Sequence, residues 1–262
     1  MTESSDPIRY ETAGPTATIW LDDPSTRNAL GDDTLDALLA ALERARDDDE
    51  VRVLILRSAD PKVFSSGGNL KDFTDDRPLA EKVAGLDRFP RLFELLAHLG
   101  KPSICAAEGD VLAGAFGIAL ACDLIVAADH VRFGCPEINV GVFPFMISAL
   151  IYRSIPRSRA NELMMTGELI SARSAYELNI VSRLAPQEEF DAELTRLCDR
   201  LASRSPLLMR MGKQALAATR DMTLPEALEH LRSQLGLALG TEDVKEGVAA
   251  LFEKRDPHWR GR

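Results

Sequence analysis

The chain has 262 residues, 45% of them hydrophobic, enough for one large domain or a domain with a smaller appendage. Its net charge of −10 excludes a general attraction to nucleic acid or anionic lipid, although local basic groups can still hold an anionic ligand. Cys105, Cys122, Cys135 and Cys198 are scattered with no CxxC, which suits small buried hydrophobes in a reducing compartment better than disulfides or zinc ligands. The start, MTESSDPIRYE, is too polar and acidic for a signal peptide, and no run of ~20 apolar residues occurs. A soluble, cytoplasmic protein is the expectation.

In chain order, Thr16 to Leu21 (TATIWL) predicts a strand between Gly14-Pro15 and Asp22-Asp23-Pro24. Asp32 or Asp33 can cap a helix with Leu35, Leu38, Leu39 and Leu42 on one face. That helix ends in the acidic run Asp47 to Glu50, read as a solvated turn. Val51 to Leu56 (VRVLIL) completes a strand–helix–strand unit of the α/β kind. The loop that follows carries Ser65-Ser66-Gly67-Gly68 at the strand's carboxyl end, where α/β proteins often bind ligands; on the glycines alone, a plain turn stays open. Leu79 to Leu99 predicts a helical region interrupted near Pro90, and Lys101-Pro102 opens a strand from Ser103 to Ala107.

The stretch from Ala106 to Pro144 is where the chemistry gathers. It breaks at Gly109, resumes at the small-residue run Leu112-Ala113-Gly114-Ala115, and continues as an apolar helix to Cys122. Strands follow at Asp123 to Ala128 and Val131 to Phe133, then Pro136-Glu137. Small residues ahead of a helix let backbone N–H groups approach a ligand, and the helix N-terminus favours negative charge there. Glu137 adds one carboxylate in an otherwise uncharged patch, so a developing oxyanion beside a proton-transfer group is the expectation. Beyond Pro144 the reading is helical: Met146 to Ile155 (MISALIYRSI), a second helix stopped by Gly167, a short one from Ser171 to Leu178, a strand from Ile180 to Leu184, then helices near 188–203, 206–219, 224–238 and 241–253. The division expected is an α/β body over 1–185 and a helical region over 186–262, packed on that body or on a neighbouring subunit.

Other chemistries drop away. There is no P-loop, no G-x-G-x-x-G and no G-x-S-x-G elbow, and neither the serines 65 and 66 nor the histidines 98, 130, 230 and 258 sit in a recognisable catalytic setting. No cluster of His, Cys or carboxylates has metal-ligand spacing, so no metal is expected.

Five segments in the same order resemble the crotonase, or enoyl-CoA hydratase/isomerase, superfamily. They are Arg27-Asn28-Ala29-Leu30, Phe64 to Leu70 (FSSGGNL), Lys101-Pro102 with its strand, Gly109 to Phe133, and Pro136 to Gly141 (PEINVG); the tail Phe252 to Pro257 fits too. The resemblance implies an α/β fold, a crotonase-like spiral of ββα units with a helical C-terminal trimerisation region, assembled as a homotrimer or a dimer of trimers. It also implies an enzyme of the fatty-acid metabolism type that acts on an acyl-CoA thioester and needs no cofactor beyond the coenzyme A of its substrate. The N–H groups of Gly68 and Gly114 would form an oxyanion hole for the thioester carbonyl, each donor worth on the order of 3 kcal/mol. Coenzyme A would lie along Arg27, Asn28 and Ala29 and the segment Ser66, Gly67, Gly68, Asn69 and Leu70. Lys254 would neutralise its phosphates from an adjacent subunit. Arg27 and Lys254 as simple solvated charges remain open.

Two departures qualify the resemblance. Hydratases of the familiar type carry two glutamates, at the positions of Gly117 and Glu137; here the first is glycine. A pair divides water orientation from proton transfer, whereas one carboxylate can shuttle a proton between two carbons or serve more slowly as both acid and base. The position eight residues past Glu137, where dienoyl isomerases and some dehalogenases place an aspartate, is Phe145. Phe143, Phe145 and Met146 either narrow the acyl pocket or pack as core. The expected activity is hydration of a 2-enoyl-CoA, with Δ3,Δ2-enoyl-CoA isomerisation or a catalytically silent acyl-CoA-binding protein as alternatives.

Overall fold

The computed structural model describes residues 6–262, apart from the side chain of Phe73; the first five residues of the polar N-terminal segment lie outside the described residues. The chain opens with a hairpin, β1 (Ile8–Ala13) and β2 (Thr16–Leu21), followed by α1 (Asp32–Asp47). Then a unit repeats. β3 (Val53–Ser58) and β4 (Val63–Ser65) lead to α2 (Leu70–Thr74), α3 (Leu79–Gly85) and α4 (Arg88–Ala97). β5 (Ser103–Ala107) and β6 (Asp110–Leu112) lead to α5 (Gly114–Ala121). β7 (Leu124–Ala128) and β8 (Arg132–Gly134) lead to a 3-10 turn (Pro136–Val140), α6 (Phe145–Ser154) and α7 (Arg157–Thr166). The chain closes with β9 (Ile170–Ser171), α8 (Ala172–Glu177), β10 (Arg183–Ala185), α9 (Phe190–Ala202), α10 (Pro206–Thr219), α11 (Leu224–Leu239) and α12 (Glu242–Glu253).

Each ββ pair sends its first strand to one sheet and its second to another. The larger sheet has the order β1-β2-β3-β5-β7-β10, parallel from β2 onward; the smaller has the order β4-β6-β8-β9. The result is the expected spiral of ββα turns. Its geometry follows from the strands: β5 (SICAA) is buried at every position and β7 (LIVAA) nearly so, as parallel strands covered on both faces must be. Crowding enforces the sharp change of direction between sheets. At Gly109, between β5 and β6, a Cβ would stand 2.3 Å from the Val63 backbone nitrogen.

The sequence reading departs from the structure in instructive places. β1 was not expected, because IRYETA buries only Ile8 fully and survives as an exposed edge strand by pairing with β2. Pro90 does not interrupt a helix: the break falls at Leu86 and Asp87, and Pro90 occupies the first turn of α4, where a missing N–H costs nothing. The residue capping α1 is Gly31, not an aspartate. Asp32 and Asp33 occupy its first turn, where the helix N-terminus favours negative charge, and Asp32 also pairs with Arg77 and Arg88. Leu35, Leu38, Leu39 and Leu42 are all buried, as the spacing predicts. Gly167 ends α7 in a left-handed conformation.

The expected division near residue 186 falls between β10 and α9, and α9 packs on the body: Phe190, Leu194, Leu197 and Cys198 join the main core. All four cysteines are buried and free, and burial pushes the Cys122 thiol up to about 12, so it stays protonated. No helix among the described residues is long and apolar enough to cross a membrane.

One polar tether joins α10 to the larger sheet. Lys213 is buried and donates to Asp123 Oδ2, to the Lys101 carbonyl and to Ser103 Oγ; the same Asp123 oxygen accepts from the Ser103 N–H at 2.7 Å. Removing the ammonium takes the lysine donor from the Lys101 carbonyl and leaves the Asp123 carboxylate with its Ser103 partners alone. Lys213→Ala should cost about 2–3 kcal/mol, less than a fully buried pair would because Asp123 is one-third exposed. The drop should appear as a lower denaturant midpoint; an unchanged midpoint would show that water replaces the lysine.

Candidate active site

Two loops meet first. The segment 27–30 lies along 64–68: the Ser66 N–H donates to the Arg27 carbonyl at 3.0 Å, the Leu30 N–H donates to the Gly67 carbonyl at 2.8 Å, and Ser65 Oγ donates to the Asn28 carbonyl at 2.7 Å. Asn28 anchors this zipper. It is 1% exposed, its Nδ2 donates to Ser58 Oγ at 2.8 Å and the Phe64 carbonyl at 3.0 Å, and its Oδ1 accepts from the Asp23 N–H at 2.8 Å. Its side chain therefore holds the loop in shape and has nothing left for a ligand. Arg27 and Asn28 both have left-handed backbones, near φ +60° and +55°.

The second loop is the turn from β6 into α5. Ala113 adopts φ 53°, ψ −130°, a strained conformation for a residue with a Cβ. Gly67, at φ +91°, lies directly against it: a Cβ at 67 would be 2.3 Å from the Ala113 Cβ and 3.2 Å from the Gly114 nitrogen. Only glycine allows that approach. Among the described residues, neither the Gly68 nor the Gly114 N–H donates to a protein acceptor. Gly114 begins α5, a helix buried on all sides through Ala119, so its free N–H groups carry the helix field toward whatever lies beyond.

What lies beyond is a cavity of about 420 Å³ lined by Ser66, Gly68, Ala113, Gly114 and Glu137. Glu137 comes from the 3-10 turn after β8. Its Oε2 is buried with no hydrogen-bond partner among the described residues, and burial pushes the carboxyl up to about 7, against a smaller opposing pull from its own backbone N–H. The other side chains in the lining are apolar except for Ser66 and Asn139. A carboxyl poised near neutrality can take or give a proton at little cost.

The remaining expected residues divide. Leu70, Phe143 and Phe145 line the cavity, the two rings 5.3 Å apart; Phe145 is 72% exposed and stands at the mouth. Asn69 instead caps α2, its Oδ1 accepting from the Lys71 N–H at 3.2 Å, and lines an adjoining cavity together with Gly68. Arg27 is exposed, Ala29 half-buried, and neither is in the lining. Lys254 is exposed at the left-handed end of α12, also outside the cavity of this chain.

Sequence reasoning missed Leu86, Phe89 and Ile147. Leu86 comes from the turn between α3 and α4 and Phe89 from the first turn of α4, and Phe89 packs within 3.0 Å of where a Gly114 Cβ would lie. Ile147, on α6, is 2% exposed and lines the cavity. Beneath it sits Gly117, where a Cβ would be 2.3 Å from Ile147 Cγ2 and 3.0 Å from Phe93 Cζ. The missing first carboxylate is thus a filled space, not an empty one.

The chain has many relatives among known proteins. The family model described as enoyl-CoA hydratase/isomerase matches residues 11–262. A putative enoyl-CoA hydratase of Thermus thermophilus is 32% identical over 94% of this chain and 98% of its own. A carnitinyl-CoA dehydratase of Salmonella arizonae is 34% identical over 98% of this chain and 99% of its own. A solved structure described as enoyl-CoA hydratase subunit I of Geobacillus kaustophilus superposes with a TM-score of 0.90 at 34% identity, covering 98% of this chain and all of that one.

The raised carboxyl has a stability consequence of definite sign. The unfolded chain ionises Glu137 above about 4.5, whereas the folded chain holds the proton until about 7. Between those values the folded state binds more protons, so stability falls as pH rises and levels off above 7. The fall should total about 1–3 kcal/mol after allowance for solvent reaching the cavity. Thermal melts of wild type and Glu137→Gln across pH 4.5–8 check it: the difference between the two curves should grow in favour of the variant through that window.

Proposed function

The chain belongs to the enoyl-CoA hydratase/isomerase family and is an acyl-CoA enzyme of that type, and we propose that Glu137 moves the proton at the α-carbon of a thioester whose carbonyl oxygen is held by the Gly68 and Gly114 N–H groups. One observation carries this reading: among the described residues, the unpartnered, buried Oε2 of Glu137 shares a mostly apolar cavity with the Gly68 and Gly114 N–H groups, which donate to no protein acceptor. As negative charge develops on the carbonyl oxygen, two preorganised donors and the start of α5 stabilise it. The α-proton becomes acidic enough for a carboxylate poised near 7.

Two reactions use this arrangement. In hydration of a 2-enoyl-CoA, Glu137 takes a proton from water as the oxygen adds to C3, and returns a proton to C2. The relatives named for hydration and dehydration support this reading. In isomerisation, Glu137 carries a proton from C2 to C4 of a 3-enoyl-CoA. The single carboxylate favours it. Neither reaction requires a cofactor beyond the coenzyme A of the substrate, and the buried free thiols suit a reducing, cytoplasmic setting.

The proposal extends to assembly. α11 buries no residue, and Leu224, Leu228, Leu231 and Leu235 form an exposed stripe along it; Leu251 and Phe252 on α12 are exposed as well. A stripe of that length supports a homotrimer or a dimer of trimers, in which Lys254 of one chain reaches coenzyme A phosphates held by another near Arg27.

Glu137→Gln should lower kcat by about 10²- to 10⁴-fold on crotonyl-CoA or trans-3-hexenoyl-CoA, while the Kd of unreactive butanoyl-CoA changes only a few-fold. Binding without turnover, unaltered by that substitution, would instead identify an acyl-CoA-binding protein without chemistry. For the assembly, light scattering should give three or six chains for wild type and a smaller particle for Leu228→Glu/Leu235→Glu. A monomeric wild type would sink the trimer.

A further inference from the structure

We propose that Ile147 sets reaction specificity: by filling the space above Gly117 it keeps water from a second anchoring point beside the acyl chain and biases Glu137 toward proton transfer between substrate carbons. The inference rests on the Glu137 reading above. Its basis is packing. Ile147 forms part of the cavity wall, and its Cγ2 stands where a Gly117 Cβ would be 2.3 Å away, with the Phe93 ring closing the other side at 3.0 Å. No methyl group fits between these atoms, and neither does a water molecule. Phe93 itself leans on Phe89, which also lines the cavity, with ring centroids 6.0 Å apart.

A reacting water needs at least two polar partners to be held in place. Glu137 offers one; Ser66 and Asn139, the other polar side chains in the lining, come from the loop after β4 and from the 3-10 turn, and the part of the wall formed by Ile147 beside Gly117 offers none. Replacing Gly117 with a larger residue would not restore a partner, because Ile147 blocks the side chain from emerging. The residue on α6, rather than the glycine on α5, is therefore the one that decides.

The favoured step balances without a co-reactant. The Glu137 carboxylate accepts the C2 proton of a 3-enoyl thioester, the C2–H pair becomes the C1=C2 bond, and the carbonyl π pair moves onto oxygen between the Gly68 and Gly114 N–H groups. On collapse the carbonyl re-forms, the C1=C2 pair shifts to C2=C3, and the former C3=C4 pair takes the same proton at C4. Water is absent from every stage.

The test is the ratio of two activities on substrates of one length, isomerisation of trans-3-hexenoyl-CoA against hydration of trans-2-hexenoyl-CoA, each as kcat/KM. Wild type should favour isomerisation. Ile147→Val keeps Cγ2 over Gly117 and should keep the ratio. Ile147→Thr has the shape of the valine variant but gives water a polar partner, and Ile147→Ala opens the space; both should shift the ratio toward hydration by at least tenfold. Thr serves as the readout if the alanine variant fails to fold, since it leaves the smaller cavity of the two, and the valine variant controls for its lost methyl. A wild type that favours hydration, or a ratio within about twofold of wild type in a folded Thr or Ala variant, overturns the assignment of Ile147 alone. Survival of both activities in Glu137→Gln, or absence of both in wild type, overturns the Glu137 reading and the Ile147 assignment together.

Discussion

The contact between Gly67 and Ala113 is the constraint on which the site depends. β4 and β6 are parallel neighbours in the smaller sheet, so the loops leaving their carboxyl ends are delivered side by side. Whether their N–H groups face one cavity is then decided within a few tenths of an ångström. A Cβ at 67 would separate the loops, and a relaxed φ at Ala113 would turn the start of α5 elsewhere. Strain of this kind costs on the order of 1–3 kcal/mol and persists only where surrounding packing over-determines it. Here the bracing comes from Asn28, whose three side-chain hydrogen bonds lock the 23–29 loop, and from the backbone bonds that zip this loop to 64–68.

Glu137 is governed by the same economy of polar contacts. Had a lysine or arginine stood beside it, its carboxyl would have been held ionised and stable, and would have been a poor proton carrier near neutrality. Instead, burial without a partner disfavours the charge, which lifts its titration to about 7. The free N–H groups of Gly68 and Gly114 are the complementary half: donors without an acceptor in the same cavity as an acceptor without a donor. The two halves are unsatisfied by the protein itself, and each is suited to charge that appears only on a bound, reacting thioester.

Much of this was legible in the sequence, because it is written in features that local chemistry dictates. β5 and β7 announce themselves as short apolar runs, α1 by its leucine spacing, the end of α7 by Gly167, and the two loops by their small residues. The candidate acid was visible as a lone carboxylate in an uncharged stretch. What stayed hidden depends on partners distant in the chain. IRYETA has no strand signal strong enough without β2 beside it. Lys213 looks like any helix-surface lysine until Asp123, 90 residues earlier, meets it under the sheet. The apolar residues of α4 predict a helix face, but not that the face closes over Gly114 and Gly117.

Gly117 shows most plainly why sequence and packing must be read together. As a letter, it registers a missing carboxylate, and a missing group suggests a vacancy that water could fill. In the fold there is no vacancy. Ile147 and Phe93, from two different helices, converge on the glycine from either side, so the absence of the side chain is what lets α6 settle onto α5. A substitution at 117 alone therefore cannot recover a two-carboxylate site, since the incoming group must first displace close-packed atoms from a core as dense as an organic crystal. Changing the chemistry requires moving the wall. The same Ile147 also lines the cavity that holds Glu137, so the packing that fills the space at Gly117 and the apolar surroundings that disfavour the Glu137 charge share a side chain.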